Sequence, residues 1–388
     1  MAKSVVFHIG DPKTGSSSIQ QVLYEKKWTC PSVTLAYPAQ LSAFPVANAL
    51  AEEGDSKGGD KRFREIAKWL NGADADVGVI SAEQFCRVDP IVLNAAIKAH
   101  MPDHADSARV IAYVRPHAHR FLSAFMQRTK TGLYKEDMET FFKRTKRQSV
   151  LVYTPRFTAW KSVFGNRFTL RPMLRDSLRD GDVVADFLHL VLNGADFTLP
   201  AVTRSNESLS LEALAGLREV QLVLHEHDIP HETRHSVGSF MGGALNRLQA
   251  GKGTKLRLNA ALYKKIANTY RADAEALDLE FFERQPMTKA LEAAASETDE
   301  TEMNIDAAHH MSPETLTKLR AEANELAKLF KSDLKSWRTA HSRDKGQRSD
   351  GVMTKLRLLN RQAHVDAVQA TLNRIAATIT GTALTTAN

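Results

Sequence analysis

The chain has 388 residues, 43% of them hydrophobic and 25% charged, and a formal net charge of +7. Such a length suits one large α/β domain with additions, or two domains, and the composition excludes wholesale disorder. The positive balance favours an anionic partner without choosing among nucleic acid, acidic polysaccharide, anionic lipid and a phosphorylated cofactor.

Residues 5–9, Val-Val-Phe-His-Ile, read as a buried strand that runs into the small-residue turn Gly10-Asp11-Pro12-Lys13-Thr14-Gly15. A helix follows from Ser16 to about Lys27, with Ile19, Val22 and Leu23 on one face and serines suited to cap its start. Proline and glycine make residues 30–60 loop-rich with short helices. A helix over 61–70 and a short apolar strand over 77–80 form the next unit, with Glu83 just past the strand's carboxyl end, where open α/β sheets place ligands.

Residues 91–100 are helical by pattern, and Arg109 to Val114 is the next buried strand, ending in Arg115-Pro116 before a helix through Phe121, Leu122 and Phe125. A basic run, Lys143 to Arg147, has the composition of a solvated face. A strand over 167–170 and a helix capped by Asp182 continue the βα alternation, which predicts a mainly parallel sheet with helices on both faces. Farther on come a polar turn over 205–210, a helix over 211–225, loops at Gly242-Gly243 and Gly251-Lys252-Gly253, and an amphipathic helix through Leu262, Ile266, Tyr270 and Leu277.

Acidic residues 297–306 read as linker. From Ser312-Pro313 onward, two long apolar stripes predict a helical hairpin over about 312–380, packed within the chain or across a homodimer. The domains expected are an α/β domain over 1–290, a linker over 291–311 and a helical extension over 312–388.

Cys30 and Cys86 stand far apart, with no C-x-x-C pair and no histidine at zinc spacing, so neither a disulfide framework nor a structural metal is indicated. No stretch reaches the roughly 18 apolar residues that a bilayer span needs, and no signal peptide is evident. A cytoplasmic location is expected.

The opening turn carries the chemistry. Gly10-x4-Gly15 has the glycine spacing of a nucleotide P-loop, but Ser16 stands where that loop has lysine, and the lysine is Lys13, inside the turn. A P-loop lysine reaches the outer phosphates of a triphosphate, and the next hydroxyl holds magnesium. The displacement argues against a P-loop kinase or NTPase, which together with a non-catalytic nucleotide-binding protein forms the alternative reading.

Pro12-Lys13-Thr14-Gly15-Ser16-Ser17-Ser18 resembles the 5′-phosphosulfate loop of sulfotransferases that use 3′-phosphoadenosine 5′-phosphosulfate (PAPS), and Arg115-Pro116 with Ser123 resembles their 3′-phosphate element. The likeness is to bacterial and carbohydrate-type members and extends from residue 3 to about 285. It implies a P-loop-type α/β fold and sulfuryl transfer from PAPS to an acceptor hydroxyl, on a saccharide, leaving 3′,5′-ADP, with no metal and no nucleic-acid partner. It also implies that Lys13 assists departure, that Thr14, Gly15, Ser16, Ser17 and Ser18 hold the 5′-phosphate, and that Arg115 and Ser123 hold the 3′-phosphate. Glu83 is the expected base. His117, His119 and Arg120 are weaker candidates, the loop over 251–255 is weakly similar to a late basic loop of the family, and His8 reads as a core histidine.

Overall fold

The computed structural model describes residues 2–51, 56–200, 208–249, 252–342 and 349–382. The first part of the turn expected over 205–210, Gly251 of the basic loop and most of the break near 341–351 lie outside the described residues. By internal contacts the chain forms two compact units, one of Met1–Arg120, Gln148–Val202 and Lys265–Ala295, the other of Phe121–Arg147, Thr203–Lys264 and Ser296–Asn388.

In the first unit, strands β1 (Ser4–His8), β2 (Leu35–Ala36), β3 (Val77–Ser81), β4 (Arg109–Val114) and β5 (Phe168–Pro172) form a parallel sheet in the order β2-β3-β1-β4-β5. The first strand is central, and Val5, Val6 and Phe7 are fully buried, as the apolar run of a strand covered on both faces requires. Its helices are α1 (Ser16–Tyr24), α2 (Phe44–Ala51), α3 (Ser56–Gly72), α4 (Pro90–His100), the start of α5 (His117–Lys130), α7 (Thr154–Phe164) and α8 (Val183–Val191). On one face Val6, Val79, Ile111 and Tyr113 pack against α1 and α8. On the other, Phe7 stacks on Phe63 of α3 with ring centroids 6.2 Å apart and meets Phe85 edge-on at 5.9 Å.

The expected strands are all present. The short β2 was expected as loop; it is a two-residue edge strand paired to Val77 and Gly78. Asp182 caps α8, its Oδ1 accepting from Val184 N at 2.8 Å and Ala185 N at 3.1 Å. Both cysteines are free.

The second unit is helical. It contains the rest of α5, α6 (Met138–Arg147), α9 (Leu211–Glu226), α10 (His231–Gln249), the start of α11 (Ala260–Phe281, which ends in the first unit ahead of α12, Pro286–Ala293), α13 (Pro313–Ser332), α14 (Leu334–Ser342), α15 (Ser349–Leu358) and α16 (Gln362–Thr380). Phe121, Phe125, Tyr134, Phe141 and Phe142 form an aromatic cluster with ring centroids 4.9 to 6.1 Å apart. Phe141 and Phe142 bury one side of α6, which turns Lys143, Arg144, Lys146 and Arg147 to its exposed side.

Two expectations are corrected by the helical unit. Gly242 and Gly243 are not a loop; they lie inside α10. Glycine is tolerated there for a packing reason: a Cβ on Gly238, one turn earlier, would sit 2.3 Å from the Lys130 carbonyl oxygen, and one on Gly242 would sit 2.9 Å from Lys130 Cδ. The terminal hairpin is also more divided than the two stripes imply. Its α13 and α16 do pack on each other and on α9, but α13 ends at Asp333, which has φ −144° and ψ 40°, and Asn360 with φ 57° separates α15 from α16. No helix among the described residues is long and apolar enough to cross a membrane.

Candidate active site

The turn after β1 is held to the sheet by its own backbone. Ile9 N donates to Ile111 O at 3.0 Å, Tyr113 N to Gly10 O at 2.9 Å, and Asp11 N to Tyr113 O at 2.9 Å, so pairing with β4 continues past the strand's end. Gly10 has φ 78°, and a Cβ there would lie 2.8 Å from Glu83 Cα. The loop and Glu83, two residues past β3, are therefore in direct contact only because residue 10 is glycine.

Lys13 also adopts a left-handed backbone, with φ 70°, which costs a non-glycine residue roughly 1 kcal/mol. The next bend, at Gly15 with φ 83°, is the cap position of α1, and no side chain caps that helix. This corrects the expectation that serines close the helix start. Only Ser18 N and Ile19 N turn back to Gly15 O, at 2.9 and 3.1 Å. Among the described residues, the N–H groups of Thr14, Gly15, Ser16 and Ser17 find no acceptor, and the buried Ser16 Oγ finds no partner. Free donors at a helix start, joined by a left-handed bend, make an anion cradle. The Thr14 side chain has a separate role, since its Oγ1 donates to Asp11 O at 2.5 Å and closes the turn.

Around the cradle are charges withdrawn from water. Asp11 is 2% exposed and carries two guanidinium partners, Arg120 Nε at 3.3 Å from Oδ2 and Arg156 Nη2 at 2.8 Å from Oδ1. Arg156, from α7, lies over the Phe157 ring at 4.8 Å. Arg115 Nη1 donates to Lys13 O at 3.4 Å, which puts the guanidinium after β4 against the loop lysine's own backbone. Burial lowers the pKa of Arg115, and the charge of Arg120 adds to the effect.

Glu83 follows Ala82, whose N–H continues β3 by donating to His8 O at 3.0 Å. Burial raises the Glu83 pKa above its ordinary 4.5, while Lys13 and Arg120 pull the other way and Asp11 adds to the rise. His8 is fully buried, its Nδ1 2.8 Å from Ser81 Oγ, and burial lowers its pKa to about 3, as befits a neutral core histidine.

Of the residues singled out by sequence, Lys13, Thr14, Gly15, Ser16, Ser17, Ser18, Glu83 and Arg115 all belong to the first unit and gather at the carboxyl ends of β1, β3 and β4. Ser123 is half-buried on α5 and belongs to the second unit. Arg120 serves Asp11. His117 is buried between the Tyr153 and Tyr270 rings, with centroids 4.6 and 5.3 Å away, and its Nε2 is 2.9 Å from Asp273 Oδ2.

Sequence reading missed Asp11, Arg156, Tyr153 and Asp273. Tyr153 OH donates to Arg115 O at 3.1 Å, and Asp273 accepts from Tyr153 N at 2.8 Å and Thr154 N at 3.0 Å, so the support for Arg115 comes from α7 and α11. An acid inside a phosphate-type turn, as Asp11 is, was the one signal available in sequence. The others are partners only in three dimensions.

This arrangement can hold an anion with several acceptor oxygens. Four open N–H groups and an orphaned hydroxyl supply donors, and Lys13, Arg115, Arg120 and Arg156 outnumber Asp11 and Glu83. A phosphosulfate end fits that donor set.

No protein-family model matches the chain, and no curated protein is significantly similar to it. A solved structure described as a sulfotransferase from Alicyclobacillus acidocaldarius is similar across 61% of this chain and 95% of its own, with 16% identity and a TM-score of 0.38. At that level no residue role passes from one chain to the other.

Proposed function

We propose that the chain is a sulfotransferase that moves a sulfuryl group from PAPS to an acceptor hydroxyl, on a saccharide, with 3′,5′-ADP as the second product. The observation that carries this reading is the cradle itself: a lysine inside the turn, in a left-handed backbone, followed by four N–H donors without acceptors among the described residues. The motif Pro12 to Ser18, with Arg115 at the next strand end, supports the donor's identity.

When bound, PAPS supplies the sulfuryl group, whose bond to the bridging phosphate oxygen breaks as a bond to the acceptor oxygen forms. Lys13 offsets the charge that develops on the departing oxygen, a role that needs a donor fixed in advance. Thr14, Gly15, Ser16, Ser17 and Ser18 hold the 5′-phosphate by backbone and hydroxyl groups, and Arg115 holds the 3′-phosphate, a role that the sequence motif extends to Ser123. Glu83 takes the acceptor's proton; its raised pKa brings it closer to the range useful to a base.

Calorimetric titration separates the alternatives. Tight binding of 3′,5′-ADP with no binding of ATP–magnesium is expected, and the reverse order would identify a P-loop kinase or NTPase instead. Binding of 3′,5′-ADP without transfer from labelled PAPS to any of a panel of saccharides and simpler alcohols would leave a nucleotide-binding protein.

A further inference from the structure

The second unit contains a cavity of about 400 Å³ framed by α10, α13, α14, α15 and α16. This is within the range of about 300–1,000 Å³ in which proteins hold small ligands. Its accessible apolar wall is formed by Phe240 and Met353, both partly exposed, while Phe330, Trp337 and Leu372 stand buried behind it. Trp337 is fixed in place: its Nε1 donates to His364 Nε2 at 2.9 Å, and its ring meets Phe330 edge-on with centroids 4.8 Å apart. The indole is therefore a fixed, closed backing, and the wall of Phe240 and Met353 in front of it needs little ordering when a ligand arrives.

The polar lining is one-sided. Arg247 of α10 and Arg357 of α15 are exposed guanidiniums, Ser236 and Ser239 add hydroxyls, and no carboxylate is among the described lining residues. Guanidinium groups match carboxylate and sulfate oxygens by bidentate hydrogen bonding. An uncharged ligand would leave both cations unused, and a simple inorganic anion would leave the apolar wall unused.

We propose that this cavity binds a small amphipathic anion, its apolar body against Phe240 and Met353 and its carboxylate or sulfate head held by Arg247 and Arg357. The site lies within the helical unit and does not depend on the sulfotransferase reading.

The test titrates the full-length protein by calorimetry with laurate, dodecanol and acetate. Laurate is expected to bind with a Kd below about 0.1 mM, dodecanol at least roughly tenfold more weakly, and acetate not at all. The double variant Arg247→Gln/Arg357→Gln should lose roughly tenfold or more in laurate affinity while its circular dichroism and melting temperature stay at wild-type values. Laurate binding weaker than about 0.1 mM, dodecanol binding as tightly as laurate, or an unchanged Kd in the double variant each overturns the proposal. If the double variant does not fold, Ser239→Phe decides: it narrows the cavity and keeps both arginines, so laurate binding should be lost, and retained affinity overturns the assignment.

Discussion

In the first unit the charges at the cradle are nearly sealed off and tied to one another. Asp11 and Arg120 are almost fully buried, and one carboxylate serves two guanidinium groups. In the second unit Arg247 and Arg357 remain exposed beside an apolar cavity. Buried charges have already lost their hydration, so each depends on its partner, and removing one strands the other. Exposed arginines keep their water until a ligand arrives. The cradle should therefore couple stability to chemistry, whereas the cavity should not.

The largest effect follows from breaking the cradle's central pair. Asp11→Ala leaves Arg120 and Arg156 without their shared counter-ion, and a loss of about 3–5 kcal/mol is expected in urea unfolding. A loss below about 1 kcal/mol would mean that these charges are as independent as those at the cavity. Next is Lys13→Ala, which should lower turnover about 10²–10³-fold, the scale of losing one fixed transition-state donor. The backbone contribution to stability should not change, because alanine keeps a Cβ and with it the left-handed cost that Lys13 already carries. Unchanged turnover would remove Lys13 from the chemistry.

Packing in the second unit can be tested without touching charge. Gly238→Ala forces a methyl toward the Lys130 carbonyl oxygen, and a cost of about 1–3 kcal/mol is expected from chemical denaturation. The smallest effect, and the one that most sharpens the contrast, concerns pH. The folded pKa of Glu83 is raised above 4.5, so the fold prefers its neutral form. That preference stabilises fully below 4.5 and is lost as pH rises through the folded value. Glu83→Gln should therefore melt above wild type at neutral pH, and the difference should close in acid. If the ionised carboxylate is the base, wild-type kcat/KM should fall on an acidic limb centred above 4.5, and the glutamine variant should lack that limb. A wild-type limb at or below 4.5, or an unchanged limb in the variant, would break the link between burial and catalysis at Glu83.

Much of the first unit was legible because β1, β3 and β4 are short, nearly continuous apolar runs, as doubly covered parallel strands are. The two-residue β2 was not, since an edge strand of that length has no pattern to read. Gly242 was misread because glycine usually weakens a helix, whereas at this position the space a side chain would need is taken by Lys130. The cradle's lysine, glycines and serines were visible as a local motif. Its electrostatic setting was not, because Asp11 meets Arg156 from α7, a pairing made only by the fold.

The position of Asp273 in the chain sets an order of assembly. The three groups its carboxylate binds, His117 Nε2, Tyr153 N and Thr154 N, belong to segments that leave the ribosome well before it, and Tyr153 in turn holds the Arg115 carbonyl. A nascent chain stopped at residue 202 contains every strand of the sheet and the whole turn between β1 and α1, yet lacks the carboxylate that pins α7 and His117. Maturation of the anion site is thus deferred until translation has passed through much of the helical unit, and trimming the gene to its α/β motif would produce a cradle with an unanchored wall.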